Sequence, residues 1–411
     1  MKPEVHLWVL HHGLWGNPDH LTYLTEKITA KAADTGEAVE VMNIAANTGT
    51  FSYGGVDGCG AKAVHLVCER LADTHQPPVT HISFVGYSLG GLILRYAIGV
   101  LYAHGVFQLQ DDTEETFPLI AASDLAFKRV IPVNFVTFAS PHVGAVRETK
   151  SAFNSVFHSV GSVIIARSGA QMLLRDRSSF EKRRIVNVMA DPHLPFWKGL
   201  KAVEALYGNL TNDFFVSHRT STLVDVTPRL EPTQIKRLPQ LHPEDYPSLV
   251  RIDELERAND IEIEDDTDDK KQATSARFRM AMIIFIPIGL TFLTFRRLFW
   301  SLLQVHEFSK VVISKKTTAL NTNNLHNLGW LKTWRDKNGP STTPTTPPIA
   351  DDGTWEYAFQ QLNQLSWTRM HVRSEFRAHA TIIRRAETSK GNEDVVPHYV
   401  DTVALFLKDL K

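Results

Sequence analysis

The chain has 411 residues, 43% hydrophobic and 22% charged, a composition typical of a protein that buries a large core. Its 44 basic and 45 acidic residues nearly balance, so no net field attracts nucleic acid, and we exclude a nucleic-acid-binding function. The two cysteines, Cys59 and Cys68, lack the spacing of metal ligands and indicate a reducing compartment. The first apolar stretch, 7–10, is too short for a secretory signal, so we expect the chain to face the cytosol.

Short segments rich in valine, isoleucine and phenylalanine alternate with segments of helical length in the first part of the chain. The predicted strands are 5–10, 38–44, 81–87 and 133–139. Helices are predicted over 18–36, which ends at Gly36, and over 61–75. This alternation predicts an α/β fold, with a mostly parallel sheet and helices on both of its faces.

A folded pattern returns near the end of the chain, where we predict a helix over 355–367, a strand over 368–376 and a closing helix over 395–410. The simplest organisation is therefore one α/β domain in two parts. Residues 1–228 form the first part of the core, and 354–411 supply the last strand and the closing helix. Residues 229–353 form a long insertion between them.

The insertion contains three unusual stretches: an acidic run (253–271), an apolar segment (280–303) and a Pro/Thr-rich linker (338–353). Its most apolar part, 280–295, would reach only ~24 Å as a helix, less than the ~30 Å hydrocarbon core of a bilayer. Pro287 and Gly289 favour a kink or hairpin, and arginines flank both ends. We expect 280–303 to associate with a lipid surface, by spanning, forming a hairpin or lying in the interface. A buried helix of an extra subdomain is the alternative.

Gly86-Tyr87-Ser88-Leu89-Gly90 places a serine between two glycines, after an apolar strand and before a predicted helix. The G-x-S-x-G pattern is common by chance, but in this context it is typical of a nucleophile elbow, a tight turn that lifts the hydroxyl clear of the sheet. Ser88 is therefore the candidate nucleophile. A glycine-rich turn that only opens a helix is the structural alternative.

An oxyanion hole in this architecture takes one backbone N–H from the residue after the nucleophile and one from the loop after an earlier strand. The first donor is then Leu89, and in the loop 11–18 we choose Leu14 as the second. His11 and His12 have no third ligand at a suitable spacing, so we expect them to position the loop rather than bind a metal.

The catalytic acid is expected to follow the serine in the chain and to precede the base. Asp213 comes after the short strand-like run 206–210 and is the favoured candidate. Asp191, which precedes a proline-rich loop, and Asp225, which lies beyond the turn, are its rivals.

The base candidate is His379, because it follows the last predicted strand, where a loop can bring an imidazole over the nucleophile. Two other histidines are rivals. His371 lies inside that strand, and His398 belongs to the closing helix, where packing is the default role.

Several of these stretches resemble the fungal serine esterase family of the α/β-hydrolase superfamily, a family that includes a lipid-droplet phospholipase. The similar segments are VLHHGLWGNPDHL, FVGYSLGGLILRYAIG, NFVTFASPHVG, the stretch from VMADPHLPFW to Asp213, and EFRAHATIIRR. The resemblance covers about 1–228 and 355–411. It implies an α/β-hydrolase fold with Ser88, Asp213 and His379 as the triad.

A serine acyl hydrolase with a lipid-associating segment is expected to be a lipase or phospholipase acting on glycerolipid esters, without a metal or organic cofactor. We expect it on the cytosolic face of an intracellular membrane, such as the endoplasmic reticulum, or on a lipid droplet, with no obligate protein partner. Residues 145–169 are a candidate lid. A protein acyl-thioesterase with the same triad, or a catalytically silent membrane-bound scaffold, remains the alternative.

Overall fold

The computed structural model describes residues 4–108, 129–145, 166–200, 203–224, 238–252, 325–338, 350–375 and 377–410. The strands are β1 (Val5–His11), β2 (Val39–Asn43), β3 (Val79–Tyr87), β4 (Ile131–Phe138), β5 (Val203–Asn209), β6 (Gln240–His242), β7 (Tyr246–Val250) and β8 (Thr368–Val372). They form one eight-stranded sheet in the order β2-β1-β3-β4-β5-β8-β7-β6. All neighbours from β2 to β8 pair in parallel, whereas β7 pairs antiparallel with both β8 and β6. The predicted α/β fold and its four predicted strands are confirmed, and the order is consistent with the α/β-hydrolase fold.

Helices connect most of these strands. The longer ones are α1 (Thr22–Thr35), α2 (Gly55–Ala72), α3 (Leu89–Ala103), α8 (Trp330–Asn338) and α9 (Trp355–Leu362). The shorter ones are α4 (Ala166–Met172), α5 (Ile185–Ala190), α6 (Pro195–Lys198), α7 (His218–Thr222), α10 (Ala378–Thr381) and α11 (Val395–His398). Gly36 ends α1 with φ of 70°, a left-handed cap that glycine adopts without strain.

Hydrophobic cores cover both faces of the sheet, because successive strand residues point to opposite sides. In β1, Leu7 and Val9 belong to the core that contains α2 and α3. Trp8 and Leu10 belong to a second core, which contains α1 and the end of the chain. A strand buried on both faces needs a continuous apolar run, which explains why these segments are recognisable in the sequence.

Parts of the predicted insertion pack against this domain. The hairpin of β6 and β7 extends the sheet beyond β8, although no strand was predicted there. In α8, Leu331 and Trp334 are buried, and Leu331 joins the core around α2 and α3. The domain boundaries at 228 and 354 stay a prediction.

The predicted closing helix over 395–410 is confirmed only as far as Val403, and its continuation to 410 is wrong. The chain forms α11, a π-helical turn (Tyr399–Val403), an extended stretch and a 3₁₀ helix (Leu407–Leu410). The extension has a local cause, since the side chain of Asn134 bonds both the N–H and the carbonyl of Leu405. The predicted helix over 355–367 also ends early, at Leu362, and the predicted strand over 368–376 ends at Val372.

Among the described residues, no helix combines the length and the apolar character needed to cross a membrane. The apolar segment 280–303, the acidic run 253–271 and most of the candidate lid lie outside the described residues. The same described segments contain no cluster of histidine, cysteine and carboxylate side chains that could hold a metal ion.

Candidate active site

Ser88 occupies a strained turn between β3 and α3. Its φ of 55° and ψ of −128° lie where side-chain-bearing residues are rare, and 9% of the residue is exposed. The neighbouring glycines make this turn possible. A Cβ on Gly86 would lie 2.4 Å from the Cα of Gly91, and one on Gly90 would lie 2.2 Å from the carbonyl oxygen of His11. The glycines of the motif are therefore required by close backbone contact.

The imidazole of His379 joins Ser88 to Asp213. His379 lies in α10, shortly after β8, and Asp213 follows β5. The Nδ1 atom of His379 is 2.9 Å from Oδ2 of Asp213, and its Nε2 atom is 2.9 Å from Oγ of Ser88. Because a carboxylate only accepts hydrogen bonds, Nδ1–H donates to Asp213, which leaves the Nε2 lone pair facing the hydroxyl.

Four donors surround the carboxylate of Asp213. Its Oδ1 atom accepts the backbone N–H groups of Phe215 (3.0 Å) and Val216 (2.9 Å), and Oδ2 accepts from Asn209 (3.0 Å) as well as from His379. Burial alone would raise the pKa of Asp213. The hydrogen bond and charge of His379, with the other donors, outweigh burial and hold this pKa below its usual value. The group therefore stays ionised at neutral pH and keeps the imidazole in one orientation.

A chain of buried polar groups links the loop of Asp213 to the helix of His379. The hydroxyl of Ser374 lies 3.0 Å from Oδ1 of Asn209 and 2.8 Å from Oδ1 of Asn392. In α10, Thr381 donates to the same oxygen of Asn392 at 2.8 Å. One hydrogen-bond network therefore fixes the segment that carries Asp213 relative to the segment that carries His379.

The loop after β1 lies directly against Ser88. A Cβ on Gly13 would be 2.7 Å from Cβ of Ser88. The carbonyl of Gly13 accepts from Nδ1 of His12 at 2.9 Å and from the N–H of Gly16 at 3.0 Å. The N–H of Leu14 belongs to the same planar peptide unit, so it points away from these two donors.

The second predicted oxyanion donor, Leu89, is the first residue of α3, and N–H groups of a first helical turn have no partner inside the helix. In the described part of the chain, no backbone acceptor pairs with the N–H of Leu14 or Leu89. Both groups adjoin Ser88 along the chain or through the loop contact. Their role as oxyanion donors stays a prediction.

His11 and His12 hold the peptide units of this loop. His11 donates through Nδ1 to the carbonyl of His12 at 2.7 Å, and Asn47 donates to its Nε2 atom at 2.8 Å. Burial, with a smaller effect of His12, lowers the pKa of His11 to about 3, and burial also lowers the pKa of His12. The neutral rings serve as hydrogen-bonding groups, which confirms the interpretation that they position the loop.

The rival candidates are bonded elsewhere. Asp191 pairs with Arg183 at 2.7 Å, His371 lies 2.8 Å from His218, and His398 lies 2.9 Å from the hydroxyl of Tyr207. The remaining rival, residue 225, lies outside the described residues.

Sequence reasoning missed two groups that support the site. The hydroxyl of Tyr87 donates to the carbonyl of His379 at 2.6 Å, and the two rings lie 5.2 Å apart. Asn209 binds the carboxylate of Asp213, as described above. The only signals in the sequence were their positions: Tyr87 directly precedes the serine, and Asn209 ends the strand before the aspartate.

Comparison with known proteins identifies the family of the chain. Residues 1–223, more than half of the chain, match the family described as "Putative serine esterase (DUF676)". The chain belongs to this family. It is 30% identical over 234 residues to "Putative lipase C4A8.10" of Schizosaccharomyces pombe, an alignment that covers 53% of this chain and 26% of that protein.

Two proteins of Saccharomyces cerevisiae are also similar. "Putative lipase ROG1" is 29% identical over 225 residues, which is 54% of this chain and 29% of the relative. "Putative lipase YDL109C" is 26% identical over 270 residues, which is 65% of this chain and 38% of the relative. The alignments thus span less than half the length of these relatives, and they support a lipase-like hydrolase.

Proposed function

We propose that the chain hydrolyses fatty-acyl esters of glycerolipids at a lipid surface, with Ser88 as nucleophile, His379 as base and Asp213 as the acid that orients it. The observation that carries the proposal is the continuous row of hydrogen bonds from Asp213 through His379 to Ser88, at a strained turn. Membership of a serine esterase family supports ester hydrolysis. The names of the relatives, all called lipases, support a lipid substrate.

Acylation begins when Nε2 of His379 takes the proton of the Ser88 hydroxyl and Oγ attacks the ester carbonyl carbon. The carbonyl oxygen becomes an oxyanion, which the N–H groups of Leu14 and Leu89 receive. Asp213 stabilises the imidazolium. When the tetrahedral intermediate collapses, His379 returns its proton to the leaving alkoxide, and the acyl group remains on Ser88.

Deacylation repeats these steps with water. His379 removes a proton from the water, the hydroxide attacks the acyl carbonyl, and the same two N–H groups receive the oxyanion. The C–Oγ bond then breaks, Ser88 recovers its proton, and a fatty acid leaves. The residues named here account for each proton transfer without a cofactor.

A lipid surface is the natural location of such a substrate. Residues 280–295, the most apolar part of the segment 280–303, support attachment. Arginines flank both of their ends and Pro287 lies near their centre, which suits a segment that enters and leaves a lipid layer by one face. We propose phospholipid as the substrate class, and the cytosolic face of an intracellular membrane or a lipid droplet as the location.

The test is a lipid-hydrolysis assay of the full chain and of Ser88→Ala, together with labelling by a fluorophosphonate probe. We expect the wild type to be labelled and to release fatty acid from lysophospholipid or phospholipid, and the variant to lose both activities. Equal release by the two proteins would overturn the proposed nucleophile.

The same assay separates other outcomes. Preference for an acyl-cysteine thioester over every glycerolipid would make the chain a thioesterase. Absence of both labelling and hydrolysis in the wild type would make it a catalytically silent member of the family.

A further inference from the structure

Exposed aromatic side chains concentrate at one edge of the sheet. Among the described residues, the exposed large hydrophobic side chains are Trp15 (48%), Phe51 (37%), Ile131 (38%), Phe214 (73%), Phe215 (63%) and Leu410 (45%). The four aromatic residues, which we call the aromatic rim, lie in connections that follow the parallel strands β1, β2 and β5. These strands end at the same edge of the sheet, the edge where Ser88 is found. Ile131 instead begins β4, at the opposite edge.

The aromatic rim adjoins the catalytic groups in two places, the loop after β5 and the loop after β1. The ring of Phe215 lies 5.4 Å from that of His379, and Phe214 precedes it. Trp15 follows Leu14, the predicted oxyanion donor. Its N–H donates to Ser52 at 3.2 Å, and its indole donates to Tyr53 at 2.6 Å. These bonds bring the segment of Phe51 to the same loop.

Hydrogen bonds fix the backbone that carries Trp15, Phe214 and Phe215. Asp213 fixes the turn that carries Phe214 through its bonds to the N–H groups of Phe215 and Val216. Trp15 sits in the left-handed region, with φ of 56°, held by its two bonds to the 52–53 segment. Single exposed apolar residues are ordinary on protein surfaces, but a group that borders one site marks an interaction surface.

The charges around the rim fit an anionic partner. The ammonium of Lys62 lies 5.5 Å from the ring centroid of Phe51. Arg377 and Arg385 are exposed on the segment that carries His379, each two positions from an exposed glutamate, Glu375 and Glu387. The loops 12–17 and 44–54 contain no acidic residue. Aromatic side chains beside cations suit the boundary between phospholipid headgroups and acyl chains.

We propose that the aromatic rim docks the chain on an anionic phospholipid surface, so that the catalytic edge of the sheet faces the lipid. The inference rests on the proposed lipase function and adds the orientation in which the site meets its substrate. On insertion each exposed ring adds apolar area that is removed from water.

A fluorescent label tests the orientation directly. Cys59 and Cys68 are buried, and burial raises the pKa of both thiols to about 12, so a cysteine introduced on the surface is labelled selectively. An environment-sensitive dye is attached to Phe214→Cys and, as a matched control, to Ile131→Cys in the full chain. Vesicles of phosphatidylcholine mixed with phosphatidylserine are expected to shift the emission to the blue at position 214 only.

Three results would overturn the docking surface. The first is no shift at 214, and the second is an equal shift at 131. The third is an emission at 214 that is already blue without vesicles and unchanged by them, which would mean that the chain itself covers the rim. Weaker shifts are expected with pure phosphatidylcholine, because the basic side chains near the rim then have no anionic headgroups to bind.

A second measurement links docking to turnover and separates the two proposals. The double variant Phe51→Ser/Phe214→Ser is expected to lower the ratio of vesicle to soluble-ester hydrolysis about tenfold or more. The matched double variant Ile131→Ser/Leu410→Ser keeps the wild-type ratio. If the wild type hydrolyses neither substrate, the proposed function fails. If the wild type is active and both double variants keep its ratio, only the docking surface fails.

Discussion

The described part of the chain contains two sets of serine, histidine and carboxylate with nearly the same geometry. In the outer set, His379 lies 2.9 Å from both Ser88 and Asp213. In the inner set, His6 lies 2.7 Å from Oγ of Ser83 and 2.8 Å from Oε1 of Glu37. The two serines are five positions apart on the same segment, yet only the outer set has the surroundings that hydrolysis needs.

The difference lies in the backbone and in the other partners. Ser83 sits inside the regular strand β3, is 0% exposed, and accepts a further bond from Asn134 at 2.8 Å. The second oxygen of Glu37 accepts the N–H of Leu407 at 2.6 Å. Ser88 is instead in a strained turn, is 9% exposed and lies beside the N–H of Leu89. A row of three side chains is therefore not a catalytic site until the backbone exposes its serine.

The contacts of the inner set indicate a structural role. Through Glu37 and Asn134 it binds the backbone of Leu407 and Leu405, so it attaches the end of the chain to the sheet. Both carboxylates orient a histidine, but one row ends at the serine of the strained turn and the other is tied to the polypeptide backbone.

The largest expected effect separates the two carboxylates. Asp213→Asn should lower kcat by roughly 10⁴-fold, because an amide in this place no longer favours the tautomer that leaves Nε2 free to accept a proton. Steady-state hydrolysis of a soluble ester measures it. Glu37→Gln is the matched variant, and its folded fraction should keep wild-type turnover. A loss in Asp213→Asn of less than about tenfold would contradict the assigned role.

The loop after β1, which carries Gly13 and Leu14, gives the next largest effect, because only the outer set has such a loop beside it. In Gly13→Ala the new Cβ would lie 2.7 Å from Cβ of Ser88, so the loop must move and the N–H of Leu14 with it. We expect kcat to fall by about 10²-fold. Gly58→Ala, with nothing within 4 Å of the added Cβ, is the control. Equal turnover in the two variants would remove Leu14 from the mechanism.

For the inner set the expected effect is on stability. Ser83→Ala leaves His6 and Asn134 with an unsatisfied buried bond, and the free energy of unfolding should fall by about 1–3 kcal/mol. Urea unfolding measures the loss, while fluorophosphonate labelling of the folded protein stays complete. Lost labelling at full stability would mean that the inner serine, rather than the outer one, is the nucleophile.

The network behind Asp213 should have a smaller effect on turnover. Asn209→Ala removes one donor to its carboxylate and one link to Ser374. We expect kcat to fall about tenfold with KM unchanged, because the side chain acts through Asp213 and does not contact substrate. Asn209→Asp is the stricter test, since a second carboxylate beside Asp213 repels its charge and should reduce kcat further. A change in KM alone would contradict the positioning role.

The smallest effect concerns the pH dependence of stability and His11, whose ring is hydrogen-bonded in the loop after β1. The unfolded chain protonates His11 below about pH 6.5, whereas burial holds the folded pKa at about 3. Between about pH 3 and about pH 6.5 the unfolded state therefore binds more protons than the folded state. The free energy of unfolding falls as the pH decreases through this range. His11→Gln should reduce that slope by up to about 1.4 kcal/mol per pH unit. An unchanged slope would mean that His11 is protonated in the folded protein.

Features that depend on local sequence were predictable. The strands β1 to β4 are short segments rich in apolar residues, and the turn at Ser88 is encoded by its own glycines. Asp213 and His379 were chosen because each follows a strand, and the structure brings both to Ser88. These inferences used the expected chain order of serine, acid and base and the position of each residue after a strand, and the family resemblance implied the same triad.

Features that depend on distant partners were not predictable. The hairpin of β6 and β7 pairs with a strand more than a hundred residues later, and nothing in its short sequence announces that partner. The extended stretch at Leu405 owes its shape to Asn134, which lies 271 positions earlier. Its own residues favour a helix, so tertiary contact overrode local propensity.

The long separation between acid and base has a consequence for biosynthesis. Asp213 and His379 are 166 positions apart, with the insertion between them. A ribosome therefore releases the turn at Ser88 well before the imidazole that bonds to it. The nascent polypeptide carries no complete row of Ser88, His379 and Asp213 until residue 379 has emerged and folded.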